Sequence, residues 1–326
     1  MEQPPLIYLA PFQGVTNVVF RNVFSKHYKG VDKFYTPFLM GIQNQNKLSA
    51  RKFVEIGSSH IHGIPVVPQI LSKDAGEILR FAEICRQMGF SELNWNLGCP
   101  YPQVADKKRG SGMLPYPDMI REILEKVMPV VQISLSVKCR LGYYSADEIV
   151  KLVSIFNNYP LSELTLHARI GKQLYTGKPD LEAFEKVSEL FRIPVVYNGD
   201  IFSVNDFRLV KNRFSHIHAW MIGRGILTDP FLPADIKSIS ITHNRQDYIN
   251  RFMDDLYFAY RQFANDRLSV LGTLKEYWSY LASSFNEPKD IFRKIRKAND
   301  FDTYESAVSF IFSEFSWLGS EKERIV

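Results

Sequence analysis

A cysteine placed where a strand ends is the residue of this chain best suited to chemistry. Cys99 follows the stretch Glu92–Leu97, in which apolar residues alternate with asparagines. That alternation is the period of a β-strand, and the Gly98 and Pro100 that flank the cysteine end it. A thiol at this rim could donate a proton or attack an electrophile. The alternative is a structural role, because free cysteine is among the most buried residue types.

Two further polar residues lie inside stretches that otherwise resemble buried strands. Alternation places Lys138 and Arg140 on one face and Cys139 on the other, so that Cys139 packs beneath a helix. Lys138 then points to the interior, where an unpaired ammonium group is unfavourable unless an anionic ligand or a carboxylate lies near. His167 alone would more often be a satisfied core histidine. Opposite Lys138, a cofactor contact is the better interpretation.

Two glycine-containing loops suggest a phosphate site. Asn198-Gly199-Asp200 closes a predicted seventh strand, and Gly223-Arg224-Gly225 closes an eighth. Glycine permits close approach of the backbone to a ligand, and arginine offers a planar fork of donors to phosphate oxygens. Loops after the last two strands of an α/β barrel often bind phosphate in this way. Ordinary turn chemistry is the alternative for both loops.

Eight short strands alternate with helices before the chain changes character. Helices are predicted at 74–88, 118–127, 146–156, 181–190 and 204–211, the first capped by Asp74. The alternation predicts a (β/α)₈ TIM barrel, and an open doubly wound sheet is disfavoured because no GxGxxG follows the first strand. A small all-α domain is predicted to follow. The predicted strands are 6–10, 33–38, 65–70, 92–97, 132–140, 163–169, 194–200 and 219–224.

The composition is that of a globular protein, with 45% hydrophobic and 23% charged residues among 326. Three cysteines without metal-ligand spacing indicate a reduced, cytoplasmic protein with no metal site. No apolar run reaches the roughly 18 residues of a membrane span, so we expect no membrane contact. The net charge of +5 permits a polyanionic partner without requiring one. We expect a monomer.

Taken together, these segments resemble the tRNA-dihydrouridine synthase family of flavoenzymes. The resemblance implies an FMN-binding TIM-barrel catalytic domain at 1–240 and a helical tRNA-binding domain at 241–326. It also implies reduction of the C5=C6 bond of specific uridines in tRNA, with NADPH (or NADH) as electron donor. The matching motifs are Ala10-Pro11-Phe12-Gln13-Gly14, Asn96-Leu97-Gly98-Cys99-Pro100, Val137-Lys138-Cys139-Arg140, Leu166-His167-Ala168-Arg169 with Tyr175-Thr176-Gly177, Asn198-Gly199-Asp200-Ile201 and Ile222-Gly223-Arg224-Gly225.

The resemblance assigns roles to individual residues. Cys99 is implied to be the general acid that protonates C5 of the uridine, and Asn96 to touch the target base. The implied FMN contacts are Pro11, Phe12, Gln13, Gln69, Lys138, His167, Asn198, Gly199, Asp200, Gly223 and Arg224. Two positions depart from the family pattern. Phe12-Gln13 stands where Met-Ala or Met-Glu is common, and Asn17 stands where the family commonly has Asp.

Basic residues near the cysteine and in the tail are candidate tRNA contacts. Lys107 and Arg109 lie in a loop after Cys99 that resembles the family's catalytic loop, a position suited to RNA phosphates. The tail from 241 holds 12 Lys and Arg against 13 Asp and Glu, so it is not basic overall. A local cluster that includes Arg293 and Arg296 remains a candidate. A solvated charged surface is the alternative for both.

Three other functions are alternatives to this one. Another FMN barrel oxidoreductase, similar to dihydroorotate dehydrogenase or an enoate reductase and acting on a small molecule, would need neither the helical domain nor the basic loop. A non-catalytic RNA-binding relative is disfavoured by the intact Cys99, Lys138 and His167. A structural scaffold is disfavoured by the many polar groups at one end of the barrel.

Overall fold

A computed structural model describes residues 4–42, 48–241 and 244–321. The chain forms two compact units, each built from several segments. The first unit comprises 1–11, 32–200 and 211–222, and the second comprises 12–31, 201–210 and 223–326. Among the helices of the described ranges, none combines the length and apolar content required to cross a membrane.

The first unit is built around a closed parallel barrel. Neighbouring strands pair in the order β3-β4-β2-β1-β10-β9-β8-β7-β6-β5. β4 and β5 are consecutive in the chain and are separated by Pro68, which has no N–H to donate. Counted as one interrupted strand, they close a ring of eight parallel strands, which confirms the predicted TIM barrel. The strands are β1 Leu6–Leu9, β2 Lys33–Tyr35, β3 His60–Ile61, β4 Ile64–Val67, β5 Gln69–Ile70, β6 Glu92–Leu97, β7 Ser134–Gly142, β8 Leu164–Ile170, β9 Val195–Asn198 and β10 Ala219–Ile222.

Helices occur where the apolar periodicity predicts them, with ends shifted by a few residues. Asp74 caps α3 as expected, since its Oδ1 accepts the Glu77 N–H at 2.6 Å. The helices are α1 Val18–His27, α2 Ala50–Ile56, α3 Ala75–Gln87, α4 Pro102–Ala105, α5 Pro117–Val127, α6 Glu148–Asn157, α7 Leu181–Ser188, α8 Val204–Arg213, α9 Arg224–Thr228, α10 Leu232–Ile236, α11 Arg245–Phe263, α12 Val270–Leu281, α13 Pro288–Lys297 and α14 Phe301–Glu314.

A largely buried ion cluster occupies the N-terminal end of the barrel. Lys33 Nζ lies 3.2 Å from Glu92 Oε2 and 3.1 Å from Glu163 Oε2. The Tyr35 hydroxyl also donates to Glu163. Burial raises the pKa of the Glu92 carboxyl, although the nearby Lys33 ammonium opposes that shift. This cluster joins three strand beginnings at the end of the barrel remote from Cys99.

The second unit is helical. Its first helix, α1, begins after Asn17, the residue that departs from the family pattern. The Asn17 Oδ1 caps α1 by accepting the N–H groups of Val19 and Phe20 at 3.1 and 3.2 Å. It also accepts the Tyr260 hydroxyl at 3.0 Å. A carboxamide oxygen caps a helix about as well as a carboxylate, so this substitution preserves the role.

Aromatic side chains form much of the core of the second unit. Phe20 contacts the rings of Phe252 and Tyr277 edge-on, at centroid distances of 6.3 and 5.4 Å. The Trp278 indole N–H donates to the Tyr304 hydroxyl at 3.0 Å, which satisfies a buried donor. The helical character predicted for the tail is thus present from α11 to α14.

Replacing Lys33 with methionine should destabilise the barrel. The change leaves the Glu92 and Glu163 carboxylates buried without their cation, which is expected to lower the free energy of unfolding by about 3–5 kcal/mol. Urea denaturation measures the difference. Lys151→Met, on the exposed surface of α6, is the control and should stay within about 0.5 kcal/mol of the wild type. Equal stability of the two variants would contradict a stabilising cluster.

Candidate active site at the carboxyl end of the barrel

Cys99 lies two residues after the end of β6, and both its N–H and its carbonyl form hydrogen bonds. Its N–H donates to Asn96 Oδ1 at 2.6 Å, and the Gly98 N–H donates to the same oxygen at 2.9 Å. The Cys99 carbonyl accepts the N–H and the hydroxyl of Ser111 at 3.0 and 3.1 Å. The side chain is only 8% exposed. These bonds fix the backbone of Cys99, from which the thiol extends, at this end of the barrel.

The loop after Cys99 returns and packs directly against it. Gly110 has φ +54°, and a Cβ added there would lie 2.5 Å from the Cys99 carbonyl oxygen. Only glycine fits that approach. Lys107, which was predicted to meet tRNA, is exposed, and Arg109 is half-buried. The glycine-containing part of the loop thus supports the cysteine, and its basic part faces solvent.

Arg140 ties the cysteine loop to the loop after β8. Its Nε donates to the Gly98 carbonyl at 2.9 Å, and its Nη1 donates to the carbonyls of Ile170 and Leu174 at 2.9 and 2.7 Å. Burial raises the pKa of the Cys99 thiol, and the positive charge of Arg140 only partly opposes this effect. The thiol is accordingly protonated at neutral pH, the form that a proton donor requires.

Lys138 points into the barrel, as alternation predicted. Its Nζ donates to Asn198 Oδ1 at 2.8 Å, and this bond crosses β8 to reach β9. Asn198 is oriented in turn by donating to the Met221 carbonyl at 2.8 Å. Burial, reinforced by the charge of Arg140, lowers the pKa of Lys138 to about 7. Its partner is a neutral amide rather than a carboxylate, so the ammonium has no counter-ion among these contacts.

His167 lies beside a bidentate ion pair. Arg169 Nη1 and Nη2 donate to the two carboxylate oxygens of Asp200 at 2.9 and 2.6 Å. Arg169 Nη1 also lies 3.3 Å from His167 Nε2. Because a guanidinium group can only donate, Nε2 accepts and the ring proton belongs on Nδ1. Asp200, predicted as a cofactor contact, is thus engaged by Arg169.

Four predicted cofactor residues belong to the second unit. Phe12 packs edge-on against Tyr280 at 5.5 Å between ring centroids, and Gln13 is exposed. Gly223 precedes the short helix α9, and the Arg224 guanidinium lies 5.5 Å from the ring centroid of Phe202.

Pro11 and Gly199 belong to the first unit. Pro11 follows β1 and is half-buried. A Cβ at Gly199 would lie 2.1 Å from the Tyr197 hydroxyl oxygen, so packing alone already requires glycine there.

The basic cluster of the tail lies on α13. Arg293 and Arg296 are exposed, and Arg293 forms an ion pair with Asp290 at 2.8 Å. Lys294 of the same helix packs over the Phe310 ring, with Nζ 3.7 Å from the centroid. Ile291 and Ile295 are buried on the other face of the helix. The cluster is a solvent-facing basic surface of the second unit.

Four side chains of the site were not among the predicted functional residues: Asn94, Ser136, Arg140 and Arg169. Gln69 Nε2 donates to Asn94 Oδ1 at 2.8 Å, and Asn94 Nδ2 donates to Ser136 Oγ at 2.9 Å. The available signal was their spacing of two residues from Asn96, Lys138 and His167, which places them on the same inward face. Their partners lie 25 and 42 positions away along the chain, which no local pattern reveals.

Comparison with known proteins identifies the family of this chain. Residues 8–313 match the family model for dihydrouridine synthase (Dus). A tRNA-dihydrouridine synthase B of Pasteurella multocida is 30% identical over 227 residues, which is 69% of this chain and 67% of that protein. A tRNA-dihydrouridine(16) synthase of Vibrio parahaemolyticus is 26% identical over 304 residues, covering 90% of this chain and 92% of the relative.

Solved structures share the fold alone. Morphinone reductase aligns with a TM-score of 0.52 at 10% identity, over 74% of this chain and 87% of that structure. Histamine dehydrogenase from Rhizobium aligns with a TM-score of 0.50 at 13% identity, over 78% of this chain and 48% of that structure. The family match spans most of the barrel and of the helical tail. The chain belongs to the dihydrouridine synthase family.

Proposed function

We propose that this protein uses FMN and NADPH to reduce the C5=C6 bond of a uridine in tRNA, with Cys99 as the proton donor. The observation that carries the proposal is the placement of a buried, protonated thiol beside Asn96, at the barrel end where Lys138 and Asn198 also meet. Active sites of TIM barrels lie at this end of the strands.

The polar groups of the first unit fit a flavin. Gln69, Lys138 and Asn198 bring N–H donors to the carboxyl end of the barrel, and His167 adds an imidazole. The pyrimidine edge of an isoalloxazine ring offers mainly acceptors, at N1 and at two carbonyl oxygens. The Lys138 ammonium, which contacts the neutral amide of Asn198, suits negative charge there. We further propose that Pro11, Phe12 and Gln13 line the ring, and that Gly199, Gly223 and Arg224 hold the phosphate.

When bound and reduced, FMN would supply the hydride that C6 of the uracil ring requires. The remaining task of the protein is to deliver a proton to C5, where negative charge develops. Cys99 suits it because burial raises the pKa of its thiol, so the proton is present at neutral pH. The bonds of its backbone to Asn96 and Ser111 hold the thiol in one place. Solvent returns the proton between turnovers.

A uridine inside folded tRNA must leave its stack to reach this site, which costs a few kcal/mol. We propose that Lys107, Arg109, Arg293 and Arg296 offset that cost through phosphate contacts. Relatives that align over nine tenths of the chain are named tRNA-dihydrouridine(16) synthase, which supports uridine 16 as the target.

Incubation with unmodified tRNA and NADPH should produce dihydrouridine, and at one position. Purified protein should be yellow and release FMN on denaturation. Ribonuclease mapping with mass spectrometry is expected to find a gain of two mass units at uridine 16. A product at another position would refute the assignment of the target, and a colourless protein without product would refute the function itself.

Cys99→Ala should bind FMN and tRNA normally yet form dihydrouridine at least about 10²-fold more slowly, the lower range for a positioned general acid. In the wild type the rate should stay level through neutrality and fall only as pH rises past the raised pKa of the thiol, above the ordinary value of about 8.5. The control is Cys85→Ala, which removes a fully buried thiol on α3. A Cys99→Ala rate close to that of Cys85→Ala would remove the thiol from the mechanism.

FMN binding should be accompanied by proton uptake at Lys138. With its pKa near 7 in the free protein, this amine is mostly neutral at pH 8. Acceptor atoms of the bound ring beside this amine favour its charged form and raise its pKa, so net proton uptake is expected on FMN binding at pH 8. FMN phosphate is already a dianion there and contributes little. Calorimetric titration in two buffers of different ionisation enthalpy measures the uptake. Lys138→Met should abolish it and Lys151→Met should not; uptake persisting in Lys138→Met would contradict this role.

A further inference from the structure

A line of hydrogen bonds runs through the inside of the barrel beneath Cys99. Asn96 Nδ2 donates to Gln69 Oε1 at 2.7 Å, and Gln69 Nε2 donates to Asn94 Oδ1 at 2.8 Å. Asn94 Nδ2 donates to Ser136 Oγ at 2.9 Å. Gln69, Asn94 and Ser136 are register neighbours on β5, β6 and β7. All three are fully buried, so water does not compete for these bonds.

The donor-to-acceptor direction of every bond in this line follows from the contacts of Asn96. Asn96 Oδ1 accepts two backbone N–H groups, from Gly98 and Cys99. Its nitrogen must therefore face Gln69, which then has to present its oxygen upward and its nitrogen to Asn94. A side-chain amide rotated by 180° would place two donors or two acceptors opposite each other in a buried site, which is unfavourable.

The line ends at Ser136, whose oxygen accepts the Asn94 N–H at 2.9 Å. A hydroxyl group can accept or donate, so this end does not oppose the direction set at Asn96. Each side-chain amide in between therefore has one favourable orientation, which follows from the two backbone N–H groups that Asn96 accepts.

We propose that Asn94 is a positioning residue that fixes how the amides of Gln69 and Asn96 face the bound flavin and the target base. The inference rests on the proposed function, since it concerns groups that would touch cofactor and substrate. Each amide nitrogen keeps one further N–H that these bonds do not use. Gln69 thereby offers an N–H donor to an acceptor on the cofactor, and Asn96 offers one to a carbonyl oxygen of uracil. Asn94 itself touches neither ligand.

The decisive comparison is between two substitutions of Asn94. Asn94→Leu keeps most of the volume and removes the oxygen that holds Gln69 Nε2, so Gln69 can turn. Asn94→Asp retains that oxygen. Asn94→Leu should raise the Kd for FMN about tenfold, the size of one lost hydrogen bond, and shift the visible absorption bands of the bound flavin. Asn94→Asp should restore both to near the wild-type values.

A buried hydroxyl outside the line supplies the matched control. Thr165 is fully buried next to Lys138 in register, and its hydroxyl has no hydrogen-bond partner within the described ranges. Thr165→Val should leave the Kd and the spectrum unchanged. Ser136→Ala, a small truncation, should give a Kd between those of the wild type and Asn94→Leu, and it keeps the test valid if Asn94→Leu does not fold.

The outcomes separate this inference from the function on which it rests. A wild type that neither binds FMN nor forms dihydrouridine overturns both. A wild type that does both, with Asn94→Leu and Ser136→Ala matching Thr165→Val in Kd and spectrum, overturns the positioning role alone. Equal losses in Asn94→Leu and Asn94→Asp also overturn it, because a direction-setting oxygen is present in only one of them.

Discussion

The inward faces of β6, β7 and β8 carry polar side chains along most of their length, where burial keeps them from bulk water. Glu92, Asn94 and Asn96 lie on β6, and Ser136 and Lys138 on β7. An unpaired donor or acceptor there is unfavourable, so most of these groups are paired with side chains of neighbouring strands. This requirement also sets the geometry of the cysteine loop, because one side chain, that of Asn96, bonds both to the barrel interior and to the backbone of Cys99.

Local patterns in the sequence predict the frame of the barrel and the inward direction of its functional groups. Alternation of apolar and polar residues predicts both ends of β6 correctly, and alternation along β7 correctly places Lys138 inside the barrel. Asp74 predicts the start of α3 because capping depends on neighbours in the chain. These inferences succeed because their physical cause lies within a few residues.

What the sequence does not predict is the choice of partner. Lys138 is paired with an amide oxygen two strands away, and Asp200 is paired with an arginine 31 residues earlier. Gly199 matches a phosphate-loop pattern, yet the Tyr197 side chain already leaves no room for a Cβ. The break between β4 and β5 at Pro68 likewise depends on the neighbouring strand with which each of them pairs. Such features follow from distances in the folded chain.

The contacts of Arg140 bear on how the site moves. One guanidinium group binds the carbonyl beside Cys99, the carbonyl at the end of β8 and one carbonyl of the loop that follows, while the backbone at Gly110 packs against the cysteine. Segments joined in this way are expected to exchange their amide protons together, as one cooperative unit, rather than by separate fraying. The cysteine is therefore held on an already assembled surface. Under the proposed function, an incoming nucleotide would adapt its own conformation to that surface.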